Sequence, residues 1–468
     1  MIDTQAIKNR ILNLAMRGQM SEQMPEDGTA EGLYNQIVEE KTKLIKEGRI
    51  KKEKSLGEIS DEEIPFEIPS RWKWVRLCDV SYHIWAGGDK PSDFSKEYDD
   101  DRTVPVVANG VTNEGILGYT SKATANKNTI TVAGRGTIGF TILRRYDYCP
   151  IVRLIVIEQS RFINPKYLQF FLQMMPEASV GSSIPQLTVP MIKPKLVPLP
   201  PVSEQTRIVE KIEAVFEVLE KIDALQNQYA SNQEVLKSKL IDAAIQGKLT
   251  EQLPEDGTAD ALYHSILEEK QLLIKAGKLK KEKSLPEIIE DEIPFEIPEN
   301  WRWVRISDVI DVRDGTHDSP KYHDEGIPLV TSKNISSGKL IFEDAKLVSM
   351  DDAQKIDERS CVDDGDILFA MIGSIGNPVI VHKDREFCIK NVALFKNFAP
   401  MHISMDYFYW FLMHEQFVLK KNAIGGLQPF VSLKVFRSYL MPLPPMSEQI
   451  RIAERLYELE DVVLEQEK

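Results

Sequence analysis

The chain has 468 residues, 42% hydrophobic and 28% charged, and its 58 Lys and Arg against 72 Asp and Glu leave a net charge of −14. That length holds two to four domains with full cores, and the composition is that of a soluble globular protein rather than a fibrous or disordered one. Four scattered cysteines without a CxxC pair, a start carrying Lys8 and Arg10, and an apolar run at 151–157 broken by Arg153 argue against a zinc or disulfide framework, a signal peptide and a membrane span, and point to the cytoplasm.

In chain order, the first element is a helix over 2–18, with Ile7, Ile11 and Leu14 at helical spacing and Gly18 at its end. Pro25–Ala30 reads PEDGTA, and a charged helix follows over 33–48. Lys51–Leu56 reads KKEKSL and Ile64–Pro69 reads IPFEIP, a proline-bounded strap that cannot be helical. Trp72, Trp74, Val75 and Arg76 come next and would dock the strap on a globular domain. All of these motifs return 229 positions later, as Pro254–Ala259, Lys280–Leu285, Ile293–Pro298 and Trp301, Trp303, Val304 and Arg305. Pro198–Pro201 with Ser203–Gln205 returns 244 positions later as Pro442–Pro445 with Ser447–Gln449. A period this long means two copies of one large unit, not a solenoid.

Residues 203–247 predict a single long helix with a 4-3 apolar stripe at Ile208, Ile212, Val215, Leu219, Ile222, Tyr229, Leu236, Leu240 and Ala243, with Gln226 and Gln233 in the remaining places. The C-terminal segment 447–468 copies the first half of this helix, and 2–18 copies the second. Both ends are expected to lie antiparallel beside the central helix. The expected organisation is α+β: two β-rich domains joined by long antiparallel coiled-coil helices in circular pseudo-twofold symmetry. The boundaries are 1–74 (helices and strap), 75–200 (first variable domain), 201–303 (central helix and strap), 304–444 (second variable domain) and 445–468 (last helix).

The variable domains match only in fragments. VPVV at 104–107 parallels IPLV at 327–330. Ala133, Gly136, Ile138 and Gly139 parallel Ala370, Gly373, Ile375 and Gly376, and Gly181 and Pro185 parallel Gly425 and Pro429. Strands are expected over 129–133, 137–143, 151–157, 367–370 and 378–381. Asn164-Pro165 opens one helix and Ser404 caps another, whose Tyr407, Phe408, Trp410 and Phe411 belong to the core. Between residues 119 and 200, ten Lys and Arg face three acids, a basic stretch in an acidic chain.

No catalytic constellation emerges. The sequence lacks an Asn/Asp-Pro-Pro-aromatic loop and a GxxxxGK[ST] phosphate loop. His317 and His323 with Asp318 and Asp324 fit no standard metal spacing. The binding chemistry sits in loops. Arg135 lies between Gly134 and Gly136, followed by Thr137, and could take guanine or phosphate bidentately; an ordinary hairpin with a solvated Arg is the alternative. Ser182, Ser183, Gln186 and Thr188, and in the second domain Gly425, Gly426, Gln428 and Ser432, form matching polar loops suited to phosphates and base edges, or else to structure alone. Asn109 matches Ser332, Lys333 and Asn334 in position and completes the candidates.

IPFEIP with Trp-x-Trp-Val-Arg, the PLPPxSEQxRI entry to each helix, the Gln246-Gly-Lys-Leu249 stretch, Ala86-Gly-Gly-Asp89 and Asp314-Gly-Thr-His317 together resemble the specificity subunits of type I restriction–modification enzymes over nearly the whole chain. The resemblance implies two target-recognition domains, each reading half of a split DNA target, with the paired helices setting the spacer. It implies double-stranded DNA, two modification subunits and restriction subunits as partners. S-adenosylmethionine, ATP and magnesium would reside on those partners and no cofactor on this chain. A protein-only coiled-coil scaffold and a stand-alone DNA-modifying enzyme are the alternatives.

Overall fold

The computed structural model describes residues 1–52, 56–174, 186–423 and 429–465, and the chain divides into two compact units, Met1–Asn227 and Gln228–Lys468. Among the described residues no helix is long and apolar enough to cross a membrane.

The first unit opens with α1 (Thr4–Met16) and α2 (Ala30–Lys46). Asp3 caps α1 by accepting the Ala6 amide, and Thr29 caps α2. Gly18 turns the chain at φ +70°, and a Cβ there would stand 2.4 Å from Pro69 Cγ. Only glycine allows both the left-handed turn and the close passage of the strap. The globular part then runs β1 (Lys73–Arg76), β2 (Ser81–Ala86), β3 (Val104–Val107), β4 (Ile116–Thr120), β5 (Thr129–Val132), β6 (Thr141–Arg144), β7 (Cys149–Pro150), β8 (Ile155–Gln159), α3 (Pro165–Gln173), α4 (Val189–Ile192) and β9 (Leu196–Leu199). These make a four-stranded sheet β2-β8-β5-β6, a three-stranded sheet β4-β3-β7 and the pair β1-β9 that closes the base. The β-branched run in β5 and β8 is buried on both faces. Ile130, Val132, Ile155 and Ile157 meet Tyr167, Leu168 and Phe171 of α3, while Val156 joins Val107, Tyr148 and Leu154 on the other side.

α5 (Val202–Ile245) starts in this unit and ends in the next. Along its first half, Ile208, Val209 and Ile212 pack with Leu12, Ala15 and Met16 of α1. The two run antiparallel: Ile2 N donates to Gln226 Oε1 at 2.6 Å, and Lys211 Nζ to the Met20 carbonyl at 2.8 Å.

The second unit repeats this plan. Ile241, Ala244 and Ile245 of α5 precede α6 (Ala259–Lys275), β10 (Arg302–Arg305), α7 (Ile306–Val309), β11 (Asp311–Asp314), β12 (Ile327–Val330), β13 (Lys346–Val348), α8 (Met350–Ser360), β14 (Ile367–Ala370), β15 (Gly376–Ile380), β16 (Cys388–Ile389), β17 (Val392–Lys396), α9 (Met405–Lys421), α10 (Leu433–Ser438), β18 (Leu440–Leu443) and α11 (Met446–Glu465). The sheets are β11-β17-β14-β15, β13-β12-β16 and β10-β18. Strand for strand this is the topology of the first unit. Ile452, Ala453 and Leu456 of α11 pack on the second half of α5, and Lys237 pairs with Glu460, again antiparallel. Tyr407, Phe408, Trp410 and Phe411 are core residues, as expected from their spacing.

The PLPPxSEQxRI motif is accounted for almost residue by residue. The Pro198 carbonyl accepts Tyr167 OH at 2.6 Å and the Pro442 carbonyl accepts Tyr407 OH at 2.8 Å. Buried Glu204 accepts Trp72 Nε1 and Ser21 Oγ at 2.8 and 2.6 Å; Glu448 accepts Trp301 Nε1 and Thr250 Oγ1 at 2.8 and 3.1 Å. Gln205 accepts the Asn164 amide and Gln449 the Ser404 amide, both at 2.9 Å. Arg207 pairs with Asp27 at 2.5 Å and Arg451 with Asp256 at 2.6 Å. The guanidinium in each case holds its carboxyl below the usual range. The repeated letters are thus the hydrogen-bonded joints of the frame.

Three expectations need correction. The 137–143 strand begins only at Thr141, because 137–140 form a turn that returns the Gly139 amide to the Ala133 carbonyl. The 151–157 strand begins at Ile155, since Val152 and Arg153 take φ +54° and +58°, which no strand accommodates. In α5 the predicted stripe holds at Ile208, Ile212 and Leu219, but Tyr229 and Leu236 are exposed and Ile241 and Ala244 are buried. A straight α-helix drifts about 20° per heptad against a 3.5-residue repeat, so after nearly five heptads the buried line has moved by roughly one residue.

Candidate nucleic-acid interface

In each globular part, distant loops meet at the end of the first sheet strand. In the first unit β2 runs into Gly87 and Gly88. A Cβ on Gly87 would stand 2.6 Å from the Pro150 carbonyl, so glycine permits the Gly87 amide to reach Leu154 O at 2.8 Å while Arg153 N returns to Gly87 O at 3.1 Å. Asn109, just past β3, holds this assembly together. Its Nδ2 donates to Val152 O at 2.7 Å and its Oδ1 accepts Gly134 N at 2.8 Å. Thr137 Oγ1 donates to the Asn109 carbonyl at 3.3 Å, and Leu187 N donates to Gly134 O at 2.9 Å. Arg135 is exposed, and its Nη2 donates to Gln186 Oε1 at 3.4 Å. Thr188 stands at the start of α4. The structure therefore gathers Asn109, Arg135, Thr137, Gln186 and Thr188 in one place. Ser182 and Ser183 lie outside the described residues.

The second unit builds the same junction. Gly315 follows β11, and a Cβ on it would meet Ile389 O at 2.3 Å. Gly315 N donates to Val392 O at 3.0 Å and Asn391 N to Thr316 O at 3.1 Å, with Asn391 at φ +55°. Ser332 occupies the place of Asn109: its Oγ donates to Asn391 O at 3.4 Å. Val431 N donates to Met371 O at 3.0 Å, as Leu187 does to Gly134. Ser432 caps α10 through Val435 N at 3.4 Å and corresponds to Thr188. Lys333 is exposed beside Ser332. Gly425, Gly426 and Gln428 lie outside the described residues.

Two candidates also brace the junctions. Asn334 is buried; its Oδ1 accepts the Thr331 amide at 2.9 Å and its Nδ2 donates to Ile341 O at 3.1 Å. It shapes the turn that presents Ser332 and Lys333. Asn109, half-buried, joins Val152 and Gly134 through the same two ends of its amide. Arg144, one of the ten basic residues of the 119–200 stretch, is also buried, on Thr131 Oγ1 and Glu114 O at 3.0 and 2.8 Å.

Sequence reasoning passed over Arg153, exposed on the left-handed turn, and its counterpart turn with Lys390 and Asn391. An Asn two residues after a short β run was the available signal for Asn391, because Asn tolerates positive φ. Val152 offered none, being β-branched. His317, weighed above as a metal ligand, instead lies 2.8 Å from buried Asp314 Oδ2 through Nε2 and 2.8 Å from Asn391 Oδ1 through Nδ1. Arg359 also pairs with Asp314. Each junction thus presents exposed cations, hydroxyls and a half-open backbone turn, groups that hydrogen-bond phosphates and base edges.

The family model for the type I restriction modification DNA specificity domain matches this chain twice, over residues 69–228 and 298–468, and the chain belongs to that family. It is a DNA-specificity subunit, a recognition component and not a catalyst. Among its relatives, the Escherichia coli type I restriction enzyme EcoAI specificity subunit is 28% identical, with 97% of this chain and 88% of the relative aligned. The EcoEI specificity subunit of the same organism is 26% identical over 95% and 87%. A solved chain from work on complex assembly and conformational transition of the type I restriction–modification system has the same fold, at TM-score 0.59 and 19% identity, over 86% of this chain and 93% of that one.

Proposed function

We propose that the parts at 75–200 and 304–444 each read one half of a split, asymmetric DNA target. The observation that supports this most directly is the pairing of an invariant frame with variant loops. Glu204 and Glu448, Arg207 and Arg451, and Tyr167 and Tyr407 make the same bonds in both units, whereas the loops at the two junctions carry different side chains. Two readers of unlike half-sites need that combination. Lys333 and Arg153 hold phosphates and set register. Arg135, Thr137, Gln186 and Thr188, and in the other part Ser332 and Ser432, meet base edges in the groove. Ser182, Ser183, Gly425, Gly426 and Gln428 belong to the same proposed surfaces.

In this reading the repeated helices dock two modification subunits in the cytoplasm. Those subunits bring S-adenosylmethionine, flip the target adenine out of the duplex and methylate it. Restriction subunits that use ATP and magnesium join the same complex. The test is replacement of residues 304–444 by the corresponding part of another family member, in complex with modification subunits, followed by sequencing of modified bases. One half-site changes and the other stays. A change in both half-sites would sink the two-reader reading.

A further inference from the structure

The backbone bonds at the two junctions align the units position by position. Leu187 N to Gly134 O matches Val431 N to Met371 O. Counting outward from that shared bond, Arg135 corresponds to Ile372 and Gln186 to Phe430. Both are cross-loop pairs: Arg135 Nη2 reaches Gln186 Oε1 at 3.4 Å, and Ile372 forms a β-bridge with Phe430. The same place in the fold therefore holds a polar pair in one unit and an apolar pair in the other.

The apolar pair is not simply core. Ile372 is half-buried against the domain interior, but Phe430 is 42% exposed. An aromatic residue left partly in water beside an aliphatic neighbour forgoes part of its transfer free energy, and hydroxyls stand close in the chain: Ser432 two residues past Phe430 and Ser374 two residues past Ile372. We propose, resting on the half-site reading above, that these two pairs are equivalent specificity-determining positions with opposite chemistry. Arg135 and Gln186 hydrogen-bond a purine edge in the major groove, and Ile372 and Phe430 cover the 5-methyl group of a thymine. An apolar surface can tell thymine from cytosine by that methyl, whereas an arginine–glutamine pair selects guanine or adenine through N7 and its neighbouring group.

The experiment uses the full chain in complex with modification subunits and a library of random duplexes, with methylated products sequenced to give preferences at each position. Phe430→Ala and Ile372→Ala relax the preference for thymine at one position of one half-site by about tenfold, the effect of one methyl-sized contact, and leave the other half-site unchanged. Replacing that thymine by deoxyuridine in the duplex weakens the wild-type complex and leaves Phe430→Ala indifferent. Arg135→Ala relaxes one position of the opposite half-site instead. Should Phe430→Ala prevent assembly, Phe430→Leu carries the test, since it keeps an apolar contact and predicts a partial relaxation. Unaltered preferences in assembled variants, indifference of the wild type to deoxyuridine, or relaxation in both half-sites would overturn the assignment. If replacing residues 304–444 still moves one half-site in that event, only this assignment fails and the two-reader function stands.

Discussion

Glu448 offers a measurement of how the frame is held. It sits in the first turn of α11, fully buried. Its Oε2 accepts Trp301 Nε1 at 2.8 Å, and its Oε1 accepts Thr250 Oγ1 at 3.1 Å and Gln252 Nε2 at 2.9 Å. Donors approach both oxygens, a demand that an ionised carboxylate meets and an amide does not. Glu448→Gln keeps the volume and turns one acceptor into a donor. With its oxygen toward Trp301, the new amide faces the Gln252 amide; the Thr250 hydroxyl can rotate to accept, the Gln252 amide cannot. With the amide reversed, the Trp301 N–H is left unpaired. One buried donor without an acceptor costs about 1–3 kcal/mol, and the loss of charge assistance adds roughly 1 kcal/mol, for a total of about 2–4 kcal/mol. Urea unfolding of the full chain, followed by tryptophan fluorescence, reads the loss. A double-mutant cycle with Trp301→Phe reads how far that penalty runs through the indole N–H, as a coupling energy different from zero. A Glu448→Gln chain within about 0.5 kcal/mol of the original would refute the reasoning, because surface-like substitutions fall in that range.

Two further outcomes follow from geometry. Gly247 sits at φ +71° with a Cβ position 2.4 Å from Pro298 Cγ, while Gly277, which ends α6 with the same backbone bonds and also at φ +71°, has open space around it. Gly277→Ala should cost about 1–2 kcal/mol for the left-handed backbone, and Gly247→Ala clearly more; equal midpoint shifts in urea would mean the strap gives way freely. His414 is drawn toward neutrality by burial, but Glu415 at 2.7 Å and Asp242 at 3.1 Å outweigh that effect and raise its pKa. Its contribution is therefore complete below the unfolded value of about 6.5 and is lost as pH rises through the higher folded value. The stability gap between the wild type and His414→Leu should shrink as the pH is raised; a gap that stays constant or widens would remove the imidazolium from the account.

The frame was readable from residue types because its signals are local or repeated. Capping residues Asn164 and Ser404, the helix-ending Gly18 and Gly247, and the Pro-bounded straps act within a few positions of themselves. The duplicated Trp-x-Trp-Val-Arg and SEQxR motifs marked joints before any contact could be seen. The antiparallel placement of α1 and α11 along α5 also followed from matching patterns. The exact buried line of α5 did not, since a small difference between 3.5 and 3.6 residues per turn accumulates over the length of the helix. The loop junctions were legible only in part. Arg135, Gln186 and Ser332 stood out by type and matched placement, yet nothing near Asn109 in the chain shows that its amide bridges Gly134 and Val152. Arg153, Ile372 and Phe430 were not singled out by type, although Phe430 lies inside the 425–432 loop and Arg153 inside the basic stretch. Each reaches the junction of its own unit through parallel and antiparallel pairings between segments far apart in sequence, and such pairings depend on the folded sheet, not on any property of the neighbouring residues.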